Sequence, residues 1–145
     1  MDSLEGVVLS SLKVISNEKG NIFHALKSSE KSFNTFGEAY FSEITHNSNK
    51  GWKKHTRMTM NLVIISGTVR FVLFDDRKFS NTSLKFWEIE IGEKNYKRLT
   101  IPPGIYVAFR GIEKRRNLVL NLASIEHDPF ESENLDLDEI KYKWE

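Results

Sequence analysis

The stretch GWKKHTRMTMNLVIISG occupies residues 51–67 and contains two strand-like segments of different character. Residues 52–56 fit a polar strand that ends beside His55, whereas residues 61–65 fit an apolar strand. Gly67 follows and separates the second segment from another apolar stretch over residues 69–74. This part of the chain therefore predicts three successive strands, with a single histidine near the end of the first.

The same pattern extends outward in both directions, since short apolar stretches alternate with turn residues about every ten positions. Residues 86–91 and 117–123 alternate strictly, as expected of half-buried strands. Two prolines at 102–103 remove ladder donors, so residues 101–104 predict a tight turn before a strand over 106–109. We also predict strands over residues 6–15, 22–26 and 38–45, short helices over 25–32 and 135–140, and an acidic surface segment over 131–139. The pattern is typical of an all-β sandwich or barrel.

Composition excludes several classes of protein. The 21 Lys and Arg residues balance 20 Asp and Glu residues, and a net charge of +1 argues against binding to nucleic acid or to an anionic membrane. The absence of Cys excludes disulfides, thiolate metal sites and a Cys nucleophile, and it suits a reducing cytoplasm. Residues 1–5 lack the features of a secretory signal, and no apolar run approaches the ~20 residues of a membrane span. We predict one cytoplasmic domain over residues 1–145.

The histidine region is similar to the first metal-binding motif of the cupins, with its ligands replaced. The ligand positions of the first cupin motif correspond to His55, Arg57 and Asn61. The histidine of the second motif corresponds to Val107. A guanidinium is always protonated and offers no lone pair to a metal. We therefore predict a cupin-type shape that needs no metal and no other cofactor.

Residues 67–77, GTVRFVLFDDR, resemble a strand of the dTDP-4-dehydrorhamnose 3,5-epimerase family, whose members are metal-free, cupin-like jelly rolls. Four further stretches match the family in order, at residues 6–14, 17–20, 50–55 and 98–104. The resemblance runs from about residue 6 to residue 130. It implies an all-β, cupin-type jelly roll that forms a homodimer by exchanging N-terminal strands. It also implies a nucleotide-linked 4-keto-6-deoxy sugar as substrate, in carbohydrate or surface polysaccharide biosynthesis.

In that family a histidine paired with an aspartate removes a proton next to the ketone, a lysine stabilises the enolate, and a tyrosine returns a proton from the opposite face. The resemblance implies that His55 is the base. Asn61 stands where the family has its lysine, and the tyrosine position falls at Leu120 or Asn121. Arg57 lies two residues from His55 and is predicted to be the replacement cation.

The resemblance also implies contacts to the nucleotide. Lys19 stands where the family has a phosphate-binding arginine, and Lys53 or Lys54 could fill a second such position. Phe23 and Tyr106 complete the predicted binding residues, although the two-residue strand period directs Tyr106 to the other face.

Two other functions stay open from the sequence: a non-catalytic module that binds a sugar nucleotide, and an isomerase that moves the keto group along the sugar ring. The residues also have purely structural interpretations. His55 could be an ordinary hydrogen-bonded histidine, and Asn61 could be a core amide. The cations at 53, 54 and 57 could form a polar strand edge that discourages edge-to-edge pairing.

Overall fold

Twelve strands build the fold in a computed structural model that describes residues 2–145. Met1 lies outside the described residues, and the prediction that residues 1–5 lack the features of a secretory signal includes it. The strands are β1 Val8–Ser11, β2 Val14–Ile15, β3 Ile22–Phe23, β4 Glu38–Glu43, β5 Asn49–His55, β6 Met60–Ser66, β7 Thr68–Asp75, β8 Phe86–Gly92, β9 Lys97–Ile101, β10 Ile105–Gly111, β11 Leu118–Ala123 and β12 Ser132–Asn134. Residues 2–145 form no helix, and so none that could cross a membrane.

Two five-stranded antiparallel sheets enclose the core. The first sheet has the order β1-β9-β6-β11-β4, the second has the order β12-β5-β10-β7-β8, and β2 and β3 form a separate hairpin. Side chains from both sheets meet in one apolar cluster, which includes Leu62 and Leu99 of the first and Phe71 and Ile105 of the second. The prediction of an all-β fold is confirmed by these twelve strands. The apolar inner side chains of both sheets are buried because the two sheets face each other.

A second, smaller apolar cluster covers the outer face of the second sheet. Trp52 is its centre, and the C-terminal side chains Leu135, Ile140 and Trp144 pack against it. The rings of Trp52 and Trp144 lie 6.4 Å apart, centroid to centroid. The C-terminal segment is therefore part of the sheet packing, so the prediction of an acidic surface segment over 131–139 is wrong for its first residues. Glu131 is buried, and β12 pairs with β5.

The two predicted helices are also wrong. Residues 25–32 form turns over the first sheet, held by the buried Arg98 of β9, which donates to the carbonyl of Ala25 at 2.7 Å and to Glu30 at 2.6 Å. Residues 135–140 are likewise turn and extended chain, since Leu135 exchanges two backbone hydrogen bonds with Trp52. In both segments, residues from distant parts of the chain form hydrogen bonds with the backbone or hold its path. The backbone groups therefore do not need a helix for their hydrogen bonds.

Candidate active site

A cavity of about 360 Å³ lies between the two sheets. The second sheet provides one wall through β5, β7 and β10, and the first provides the opposite wall through β4, β6 and β11. Its floor is apolar, with Met60, Leu62, Phe71, Val107 and Val119. Its polar side chains are Tyr40, Ser42, Lys50, Lys53, His55, Asn121 and Asn134. This mixture, a largely apolar cavity with a few convergent polar groups, is typical of a small-molecule site.

His55 lies at the end of β5 and is only 7% exposed. Its Nδ1 atom is hydrogen-bonded to the carboxylate of Glu131, which is itself buried. The second oxygen of Glu131 accepts the backbone N–H groups of Arg57 at 3.1 Å and Met58 at 3.2 Å. Burial acts to raise the pKa of Glu131, but these hydrogen bonds from His55 and the backbone outweigh it and lower the pKa. An ionised carboxylate therefore holds the imidazole, and its Nε2 atom stays available as an acceptor.

Glu131 was missed as a site residue from the sequence, because it begins an acidic run that is typical of solvent-exposed chain. Its backbone carbonyl accepts hydrogen bonds from the N–H and the hydroxyl of Thr56, both at 2.7 Å. The next residue, Ser132, pairs with His55 in the β12–β5 ladder. The apolar side chains further along, at 135, 140, 142 and 144, were the one signal that this segment packs against the sheet.

The opposite wall carries a phenol that the sequence analysis did not single out. Tyr40 of β4 and Asn121 of β11 are partners in the strand ladder. The amide nitrogen of Asn121 donates to the Tyr40 hydroxyl at 3.1 Å and lies 3.9 Å from the sulfur of Met58. The amide oxygen of Asn121 is buried and has no hydrogen-bond partner among the described residues. A residue at the predicted tyrosine position thus orients a tyrosine from the neighbouring strand.

Two predicted catalytic residues lie away from the cavity. Arg57 follows the end of β5, so the strand period no longer governs its direction; its side chain is 59% exposed and pairs with Asp128 at 2.6 Å. Asn61 faces the opposite side of β6 from Met60 and Leu62. Its amide oxygen accepts from the hydroxyl of Thr100 at 2.5 Å, and its nitrogen donates to the carbonyl of Ser32 at 3.1 Å. Asn61 is therefore a satisfied core amide, and neither residue provides a cation or donor to the cavity.

The predicted binding residues of β5 and β10 lie on two different faces of the second sheet. Lys53 lines the cavity. Lys54 points to the outer face, where it pairs with Asp76 at 2.7 Å and Glu133 at 2.9 Å and lies over the ring of Tyr106. The Tyr106 hydroxyl donates to Glu133 at 3.2 Å, so Tyr106 and Lys54 belong to one outer-face network and do not contact the cavity.

Lys19 and Phe23 lie in the exposed β2–β3 hairpin region and do not line the cavity of their own chain. Phe23 packs edge-on against Tyr96, with ring centroids 5.5 Å apart. Their predicted contacts to a nucleotide stay predictions. No group of three or more His, Asp or Glu side chains that could hold a metal ion occurs among residues 2–145.

A jelly-roll cavity with a buried histidine–carboxylate pair on one wall and a phenol on the other defines a site for acid–base chemistry on a small molecule. Solved structures of similar shape agree with this class. A dTDP sugar isomerase from Desulfovibrio desulfuricans G20 is 35% identical, with a TM-score of 0.92 over 97% of this chain and 92% of the other. The chain therefore belongs to the family of dTDP-sugar isomerases and dTDP-4-dehydrorhamnose 3,5-epimerases, and the resemblance predicted from its motifs is confirmed.

More distant members share the fold. A dTDP-4-dehydrorhamnose 3,5-epimerase from Sulfolobus tokodaii is 21% identical, with a TM-score of 0.85 over 98% of this chain and 84% of the other. The corresponding enzyme from Elizabethkingia anophelis NUHP1 is 14% identical, with a TM-score of 0.81 over 95% and 79%. These likenesses confirm the predicted cupin-type jelly roll. No protein-family model matches the chain, and no curated protein matches it.

Proposed function

We propose that the protein is an isomerase or epimerase that acts on a dTDP-linked 4-keto-6-deoxy sugar by removing a proton next to the ketone. The observation that carries the proposal is the buried pair of His55 and Glu131, in which His55 lines the cavity and Glu131 holds its imidazole from behind. The relative at 35% identity is a dTDP sugar isomerase, and a more distant one is a 4-keto-6-deoxy sugar epimerase. An enzyme is favoured over a binding module, because a binding site has no need of a buried histidine held by a carboxylate.

Each residue then has a defined task. Nε2 of His55 accepts the proton from the carbon beside the ketone, and the electron pair of the broken C–H bond moves onto the ketone oxygen as an enolate. Glu131 keeps Nδ1 protonated and stabilises the imidazolium that forms. Tyr40 lines the opposite wall and is the proposed donor of a proton to the other face of the enolate. A proton returned to the same carbon from that face inverts it.

Keto-group migration is the second candidate, since the relative at 35% identity is named a dTDP sugar isomerase and not an epimerase. In that reaction the proton returns to the neighbouring carbon, and a hydroxyl proton moves between two oxygens. The two candidates share the first step and differ only in the product. Incubation with dTDP-4-keto-6-deoxyglucose in deuterated water, followed by NMR of the sugar, distinguishes inversion from a shifted ketone. Absence of both deuterium incorporation and product would contradict an enzyme of either kind.

The homodimer, the cytoplasmic location and the role in polysaccharide biosynthesis are proposed on the family resemblance. Residues of the β2–β3 hairpin support a second copy, since Val14, Ile15, Ile22 and Phe23 leave apolar side chains exposed. We expect light scattering at micromolar concentration to give twice the chain mass of 16.9 kDa. A folded monomer under those conditions would contradict the homodimer. Strand β1, whose exchange between copies the resemblance implied, pairs with β9 of its own chain.

A further inference from the structure

Two adjacent lysines of β5 have opposite surroundings. Lys54 faces outward and is neutralised by Asp76 and Glu133. Lys53 faces the cavity, and its partners across the ladder, Val107 and Asn134, carry no charge. Within residues 2–145 the ammonium of Lys53 forms no ion pair or side-chain hydrogen bond. The cavity wall therefore contains a cation without a counter-charge.

The apolar floor increases the effect of this charge. Lys53 is half-buried, and the cavity beside it is lined by Leu62, Phe71 and Val107. Water screens a charge less effectively in such surroundings, so an ammonium there interacts strongly with an anion that enters or forms nearby. The cavity contains one other lysine, Lys50, which is exposed and donates to the carbonyl of Glu43 at 2.6 Å.

The position of Lys53 relative to His55 suits a charge that forms during the reaction. The two residues are separated by one position, so they share a face of β5 and their Cα atoms lie roughly 6.5–7 Å apart. A ketone oxygen is attached to the carbon next to the one that loses its proton. When His55 contacts that proton, the oxygen lies within reach of a flexible lysine two residues away on the same wall.

We infer that Lys53 is a catalytic residue, whose ammonium stabilises the negative charge that develops on the ketone oxygen as His55 removes the neighbouring proton. The inference rests on the proposed function and extends it. It assigns to β5 the electrostatic role that Asn61 of β6 cannot provide, because Asn61 faces away from the cavity and is uncharged. It also replaces the prediction that Lys53 binds a phosphate.

The test compares Lys53→Met and Lys53→Arg with wild type, using the rate of deuterium incorporation into dTDP-4-keto-6-deoxyglucose and the Kd of dTDP. Loss of an electrostatic donor of this kind costs on the order of 10²–10³-fold in kcat. We expect that loss in Lys53→Met with less than a threefold change in the Kd of dTDP, and a partial rate in Lys53→Arg. Lys85→Met, which removes the same charge from an exposed position, should match wild type.

A Lys53→Met protein that keeps kcat but binds dTDP more weakly would overturn the inference and restore the phosphate role. If Lys53→Met does not fold, as judged by circular dichroism, Lys53→Gln provides the same comparison. Wild-type protein that incorporates no deuterium would instead overturn the proposed function, and the inference with it. The wild-type and variant measurements therefore separate the two failures.

Discussion

The imidazole of His55 and the carboxylate of Glu131 form a hydrogen-bonded pair although 76 positions separate them in the chain. The pair exists because β12 adds to the edge of the second sheet beside β5 and places Glu131 immediately before Ser132, the residue that pairs with His55. Two backbone N–H groups complete the carboxylate's shell. This arrangement gives the imidazole one fixed tautomer and one free nitrogen.

The first prediction concerns this pair. We expect His55→Asn to abolish deuterium incorporation and Glu131→Gln to lower its rate by about 10²–10⁴-fold, because the imidazole loses both its tautomer and the stabilisation of its protonated form. NMR of the sugar in deuterated water measures both. Asp128→Asn, which removes a carboxylate from the same segment outside the cavity, should keep the wild-type rate. An unchanged rate in Glu131→Gln would contradict the role of the pair.

The second prediction separates the two walls of the cavity. Tyr40→Phe removes the hydroxyl opposite His55 and leaves the base intact. For an epimerase we expect deuterium exchange to continue while net inversion falls by about 10²-fold, because the proton returns only from the face of His55. Comparison of exchange and inversion in one NMR sample measures this. An equal loss of both rates would mean that Tyr40 does not act as the opposite-face acid.

The third prediction concerns acid stability. Asp75 is fully buried; burial would raise its pKa, but hydrogen bonds from Arg77, Ser80 and Thr82 lower it well below its usual value. The Asp75 carboxyl therefore binds a proton more readily in the unfolded state than in the folded state. Its contribution to the free energy of unfolding is complete above about pH 4 and is lost as the pH falls further. We expect the free energy of unfolding to decline below pH 4.

The variant Asp75→Asn should be less stable by about 3 kcal/mol at pH 7, because it leaves Arg77 without its partner. It should also show a shallower decline below pH 4. Urea denaturation over a pH series measures both effects, with the exposed Asp138→Asn as the control. An acid decline as steep in Asp75→Asn as in wild type would contradict the assignment.

The fourth prediction is independence from metal. The cupin ligand positions hold Arg57, Asn61 and Val107, whose side chains offer no lone pair at the cavity for a metal ion, since Arg57 and Asn61 face elsewhere and Val107 is aliphatic. We expect activity and melting temperature to be unchanged after EDTA treatment. Stoichiometric Fe, Zn or Mn in purified protein, with loss of activity on its removal, would contradict this.

Local pattern predicted much of the fold. Strands β6, β7, β8 and β11 follow from apolar runs and two-residue alternation, which report burial directly. Strands β9 and β12 were not predicted, because Arg98 of β9 is a charged residue that is buried by a distant segment, and β12 is short and acidic. The predicted helix over 25–32 failed for the same reason, since Arg98 determines the path of that segment.

The candidate site likewise combines features that local pattern predicts with features that depend on distant residues. The sequence by itself determined the family, the position of His55 on a strand beside an apolar floor, and the alternation that directs Lys53 and Tyr106 to opposite faces of neighbouring strands. Only the tertiary structure brings Glu131 to His55 and Tyr40 into the cavity lining, and it leaves the side chains of Arg57 and Asn61 outside that lining. Strand pairing and the point at which a strand ends depend on residues far along the chain, and a two-residue period holds only while the strand continues.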